Sequence, residues 1–226
     1  MNATLPRSSS SYWTVRPARP QDQAMVQDLL YQSYSNLLAN DYGPELLAEA
    51  LPIICKANPE LLSCGTWYVV EANTAARIPS TGNARDETTT MLVGCGGFTW
   101  QAPIPSTEPQ HFQNDSVTTP HLRHFATHPK YARQGIARAI WNKCRHEICK
   151  GPPQNGHHHQ KTNHLPTMEV YSTLTAVAFY ASLGFETVQE VTLPLRGVTR
   201  NKDDSTECIM FPAMLMRREQ GRGKKP

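Results

Sequence analysis

The chain has 226 residues, 39% hydrophobic and 18% charged, enough to bury one sizeable core in one domain. Its formal charge of +3 is mild, and basic residues concentrate only in the tail RREQGRGKKP, so the composition does not ask for nucleic acid. No apolar run reaches membrane-spanning length and the start, MNATLPRSSSSYW, lacks a secretory h-region; the expectation is a cytoplasmic protein with no membrane partner.

In chain order, residues 1–11 are Ser-rich and predict a disordered segment. Tyr12 to Arg16 reads as a short strand. Pro20 and Asp22 suit the first turn of a helix that carries Met25, Val26, Leu29, Leu30 and Tyr34 at helical spacing. ELLAEAL predicts a second helix, interrupted at Pro52. Asn58-Pro59-Glu60-Leu61-Leu62 predicts a turn entering one more helical turn. Thr66 to Ala72 (TWYVVEA) and Met91 to Trp100 (MLVGCGGFTW) are β-branched and aromatic, so strands, and they form a hairpin with a long polar tip. Gly94, Gly96 and Gly97 point to a bulge or a close backbone approach in the second of these.

Leu122 to Thr127 is the next strand, ended by Pro129. The helix after it lines Ile136, Ile140, Cys144 and Ile148 along one face, with Ala137 and Trp141 beside them, and Gly151-Pro152-Pro153 stops it. Thr167 to Ser172 is a strand, Thr175 to Leu183 a short helix closed by Gly184, and Phe185 to Leu193 and Glu207 to Met216 are the last strands. The order implies an α/β (α+β) fold, a mixed sheet with helices on both faces. One domain spans 12–216 with polar insertions near 73–90, 101–120 and 151–166, and 217–226 is a basic flexible tail. The six cysteines form no C-x-x-C pair and read as reduced, mostly buried thiols, with Cys95 and Cys144 in apolar patterns.

The most informative stretch is HFATHPKYARQGIARAIWNKCRHEI, His124 to Ile148. It reads as strand, turn and helix, with Gly135 at the helix start. There the backbone N–H groups from Gln134 through Arg138, with the helix dipole, make a seat for phosphate or pyrophosphate. No Lys-Ser/Thr pair follows the glycine, so this is not a nucleoside-triphosphate P-loop. The plainer reading is a glycine that allows tight helix–strand packing.

With ATHPKYARQGIARAI and, after an intervening strand, AFYASLGFE (Ala178 to Glu186), the chain resembles the GNAT acyltransferase superfamily from about Val15 to about Met216. The resemblance implies a mainly antiparallel central sheet and acetyl-CoA as co-substrate, without a metal. Phe125, Ala126 and Thr127 would offer backbone to the pantetheine arm. Arg133, Gln134, Gly135, Ile136, Ala137 and Arg138 would surround the pyrophosphate. Tyr180, four residues before Gly184-Phe185, would serve as the acid for the departing thiolate. Ala132 and Thr173 stand where many members carry Arg or Gln, and Asn.

The base stays open. His121 begins the fourth strand, and in a regular strand residues 121, 123, 125 and 127 share one face with His124 on the other. Glu169, Glu71 and a water relay are alternatives, and Tyr180 could simply pack on the last strands. His157, His158, His159 and His164 lie in a loop without acidic or Cys neighbours, so adventitious metal affinity is expected there and no built zinc site. The expected activity is N-acetyl transfer to a primary amine, the partner a small-molecule amine, with a homodimer left open. Its alternatives are a non-catalytic acyl-CoA-binding or interaction module and acylation of a protein N-terminus or lysine.

Overall fold

A computed structural model describes residues 13–74, 89–100, 119–152, 165–196 and 208–220. Seven strands form one sheet: β1 (Trp13–Pro17), β2 (Trp67–Thr74), β3 (Thr89–Thr99), β4 (His121–Thr127), β5 (Met168–Ser172), β6 (Glu186–Arg196) and β7 (Cys208–Arg218). Their order across it is β1-β2-β3-β4-β5-β7-β6, and among the described residues only the β4–β5 pair is parallel. The described residues also form the α-helices α1 (Gln23–Leu37), α2 (Pro44–Ile54), α3 (Pro59–Ser63), α4 (Ile136–Ile148) and α5 (Val177–Ala181). The mixed, mainly antiparallel sheet with helices on both faces is therefore as expected.

Alternation along β2 builds the two layers. Tyr68 and Val70 pack with Ile136, Ile140, Cys144 and Ile148 of α4 on one face. Trp67 and Val69 pack with Val26, Leu29 and Leu30 of α1 and Leu61 and Leu62 of α3 on the other. A third cluster seats α2 on the far strands, where Tyr42 stacks on Phe211 at 4.6 Å.

Four local readings need correction. α2 does not break at Pro52; it continues to Ile54. Pro52 is exposed, while Leu51 and Ile54 pack on the clusters around α1 and hold the last turn. The helix expected over Thr175 to Leu183 covers only Val177–Ala181, because Leu174–Ala176 wind as a 3-10 turn; Gly184, at φ +87°, closes the far end as expected. β7 runs past Met216 to Arg218, two residues into the stretch expected to be tail; Arg217 is held there by Glu169. Met25, placed on the apolar stripe of α1, is 43% exposed. Of the free cysteines, Cys55, Cys95 and Cys144 are buried, Cys149 is half-buried, and Cys64 and Cys208 are exposed.

The feature that positions the site is a split in the sheet. β4 and β5 pair only at His121↔Glu169 and Leu122↔Val170. Arg123 to Thr127 continue without a β5 partner, so one backbone edge of β4 faces a wedge.

Candidate active site

The β4 edge is shaped by a bulge. Cys95 pairs with Ala126 and Gly97 with Arg123, so two β4 residues, His124 and Phe125, stand opposite Gly96 alone. His124 takes φ +48°, and Gly96 takes φ +155° with its Cβ position only 3.1 Å from the Phe125 Cα. Only glycine accommodates that approach. The bulge overturns the expected common face of residues 121, 123, 125 and 127. Leu122 and Phe125 both lie with the α4-side core, and Ala126 lies with the α1-side core. The Gly94 to Gly97 run thus serves both anticipated purposes, bulge and close approach.

At the other side of the wedge α4 begins. Arg133 and Gly135 are both left-handed, at φ +65° and +85°. Ala139 is the first residue whose N–H reaches a helix-start carbonyl, that of Gly135 at 2.9 Å, so the N–H groups of Ile136, Ala137 and Arg138 have no intrahelical acceptor. A Cβ on Gly135 would meet nothing within 4 Å, which leaves this corner open to a ligand. The Ile136 side chain is 1% exposed and packs under Gly94, so only its backbone can contribute. Arg133, Gln134, Gly135 and Arg138 are exposed. Arg138 Nη2 donates to Ser182 Oγ at 3.2 Å, which joins this corner to α5.

α5 presents Tyr180 to the same wedge. Its ring lies 6.1 Å from Phe125 and 5.8 Å from Phe185, centroid to centroid. The residue is 4% exposed, and its hydroxyl makes no hydrogen bond to a described residue. Burial pushes the phenol well above its ordinary pKa, so it carries its proton at neutrality. The α1–α2 turn holds the start of this helix in place. Tyr42 Oη donates to the Pro212 carbonyl and accepts from the Leu174 N–H, both at 2.9 Å, and Thr175 donates to Asp41.

His121 stands apart from this constellation. Met168 and Val170 belong to the α4-side core, so Glu169 between them faces the other way, and His121 Nδ1 lies 3.8 Å from Glu169 Oε2. That spacing would be an ion pair only with a charged imidazole. Burial outweighs the opposing charge of Glu169 and, with a smaller push from Arg123, lowers the His121 pKa, so the ring is neutral, and its buried Nδ1 has no hydrogen-bond partner among the described residues. Glu169 gives its other oxygen to Arg217 at 2.8 Å. Glu71 is bound to Arg16 on β1 and β2, two strands from β4, which removes it as a base. The Thr173 side chain makes no capping hydrogen bond.

The sequence reading missed Arg123 and Arg217 beside His121. The two-residue spacing from His121 signals the first; nothing in the sequence signals the second, which reaches the site by β5–β7 pairing. His157–His159 and His164 lie outside the described residues, and among the described residues no group of acidic, His and Cys side chains could hold a metal. An open cavity of about 600 Å³ between α1 and α2, lined by Tyr31, Leu51 and Cys55 among others, contains none of the motif residues.

Residues 111–197 match the acetyltransferase (GNAT) domain family. That stretch carries β4, α4, β5, α5 and β6. No curated protein matches the chain in sequence. Among solved structures, the fold is similar to a GCN5-related N-acetyltransferase (aminotransferase, class-II) from Rhodopseudomonas palustris, at TM-score 0.54 and 16% identity over 91% of this chain and 94% of that one. It is also similar to the PaiA N-acetyltransferase of Thermoplasma acidophilum in complex with coenzyme A, at TM-score 0.53 and 11% identity over 92% and 98%.

Proposed function

Since residues 111–197 match the acetyltransferase (GNAT) domain and the fold is similar to that of solved N-acetyltransferases, we propose that the chain moves an acetyl group from acetyl-CoA to the primary amine of a small molecule. The observation that carries this is the wedge between β4 and β5, with the open start of α4 at one side and, at the other, a protonated Tyr180 whose hydroxyl bonds to no described residue.

In this reading the pyrophosphate sits on the N–H groups from Gln134 through Arg138, favoured by the helix dipole and by Arg133 and Arg138. The pantetheine arm lies along Phe125 to Thr127 as an added strand, hydrogen-bonding to backbone that β5 has left. The acceptor comes from the α1-side face. Its neutral nitrogen attacks the thioester carbonyl carbon, a C–N bond forms and the C–S bond breaks. The proton of the amine passes to His121, directly or through water, and on to solvent. The departing sulfur takes the Tyr180 proton, and solvent restores the phenol. A phenol held protonated by burial suits the acid, and an imidazole held neutral suits the base.

The test is a panel of primary amines with acetyl-CoA, reading free thiol. Thiol release that depends on an amine, with acetylated amine as product, supports the reading. CoA binding without acetylation of any amine at any pH refutes it in favour of a non-catalytic module.

A further inference from the structure

His121 and Arg123 follow one another at strand spacing ahead of the bulge, so both point to the α1-side face, about 6.6 Å apart along β4. Arg123 is half-buried, and its guanidinium makes one long hydrogen bond, Nη1 to Thr99 Oγ1 at 3.4 Å. Among the described residues no carboxylate pairs with it. Arg16 and Arg217 differ: Arg16 holds Asp22 and Glu71, and Arg217 holds Glu169. A guanidinium has five donors, and among the described residues Arg123 uses only one of them, which suits it to bind an anion. Burial lowers the Arg123 pKa, as expected of a charge with no counter-ion among the described residues.

The other end of the same face has the opposite preference. Glu169 keeps Oε1 on Arg217 and turns Oε2 toward His121, whose buried Nδ1 is unsatisfied. A carboxylate attracts an incoming ammonium, and a neutral imidazole can take its proton.

We propose that the acceptor is an amino acid, a small molecule with a carboxylate beside its primary amine, the carboxylate bound by Arg123 and the amine directed to His121 and Glu169. The proposal rests on the acetyl-transfer reading above. It disfavours polyamines, whose second cation would lie against Arg123.

The experiment measures kcat and KM, by thiol release from acetyl-CoA, for matched acceptors: ornithine with putrescine, phenylalanine with phenethylamine, and each amino acid with its amide. A charge-assisted hydrogen bond predicts a preference for the amino acid on the order of 10- to 100-fold in kcat/KM. In Arg123→Gln the gap should close, mainly through a higher KM for the amino acid, and Arg123→Lys should reopen part of it. The wild-type comparison stands alone if the variants do not fold. Decarboxylated amines or amides acetylated as well as the amino acids overturn the proposal and leave acetyl transfer intact. Phosphoethanolamine outrunning every amino acid overturns the carboxylate assignment. No acceptor-dependent thiol release, with CoA still bound, overturns the acetyl-transfer reading and this proposal with it.

Discussion

Two side chains, Tyr180 and His121, carry the proposed proton transfers, and each has a distinct signature. If Tyr180 supplies the proton of the leaving thiol, Tyr180→Phe keeps the ring packing against Phe125 and Phe185 and loses only the proton. Steady-state kinetics should show kcat lower by on the order of 10²–10⁴-fold with acetyl-CoA affinity nearly intact; unchanged turnover would return Tyr180 to a packing role. Because His121 is held neutral below the ordinary histidine value of 6.5, its limb in a kcat/KM profile rises with pH below that value, separate from the higher limb of the acceptor amine. His121→Ala should flatten the lower limb. If Glu169 instead relays the proton through water, His121→Ala keeps most of the turnover and Glu169→Gln loses it. His124 offers a stability signature. Burial, with the charge of Arg123, lowers its pKa to about 4. The unfolded chain therefore takes a proton near 6.5 and the folded one only near 4, so stability falls as pH drops through that window. His124→Asn, which tolerates the left-handed backbone at φ +48°, should flatten the melting temperature between those values. An unchanged slope would move the effect elsewhere.

Among the secondary-structure elements, one ion-pair network fixes the entry into α1. Arg16 on β1 makes a two-pronged contact with Asp22 at 2.7 and 2.8 Å and donates Nε to Glu71 at 2.8 Å, while Asp22 also accepts from the Arg19 N–H. Asp22 is 3% exposed, so Arg16→Met would strand its charge and should cost about 3–5 kcal/mol in denaturant unfolding. A loss below about 1 kcal/mol would make the contact an ordinary surface pair. The Arg16 hydrogen bond holds the Asp22 carboxyl below its ordinary 3.8. Its contribution is complete above that value and is lost as pH falls through the folded one, a more acidic window than that of His124. The strands and helices were legible because periodicity is local: Ile136, Ile140, Cys144 and Ile148 announce α4, and Trp67 to Ala72 announce β2. The β4 bulge was not, because it depends on Gly96 of another strand approaching Phe125, and the regular alternation assumed for β4 put Phe125 on the wrong face. Pro52 misled because the packing of Leu51 and Ile54 outweighs one missing hydrogen bond.

For the molecule as a whole, the sequence motifs drew attention to both ends of the proposed site, Gly135 and Tyr180, but not to what joins them. The junction is the parting of β4 from β5 after Leu122 and Val170, a property of pairing between distant segments. In the proposed function it would also make coenzyme A a ligand of the folded state alone. CoA at roughly a hundred times its dissociation constant should stabilise the protein by about 2.7 kcal/mol. For a domain of this size that raises the melting temperature by about 5–10 °C. Gly135→Glu puts a side chain and a negative charge into the open corner at the start of α4, where the backbone is already left-handed. The decisive measurement is the CoA-induced melting shift of wild type and Gly135→Glu side by side. The shift should be present in the first and absent in the second, with Gly135→Glu still melting cooperatively. A wild type that CoA does not stabilise, or a Gly135→Glu protein that keeps the full shift, would contradict the placement of acetyl-CoA in the wedge.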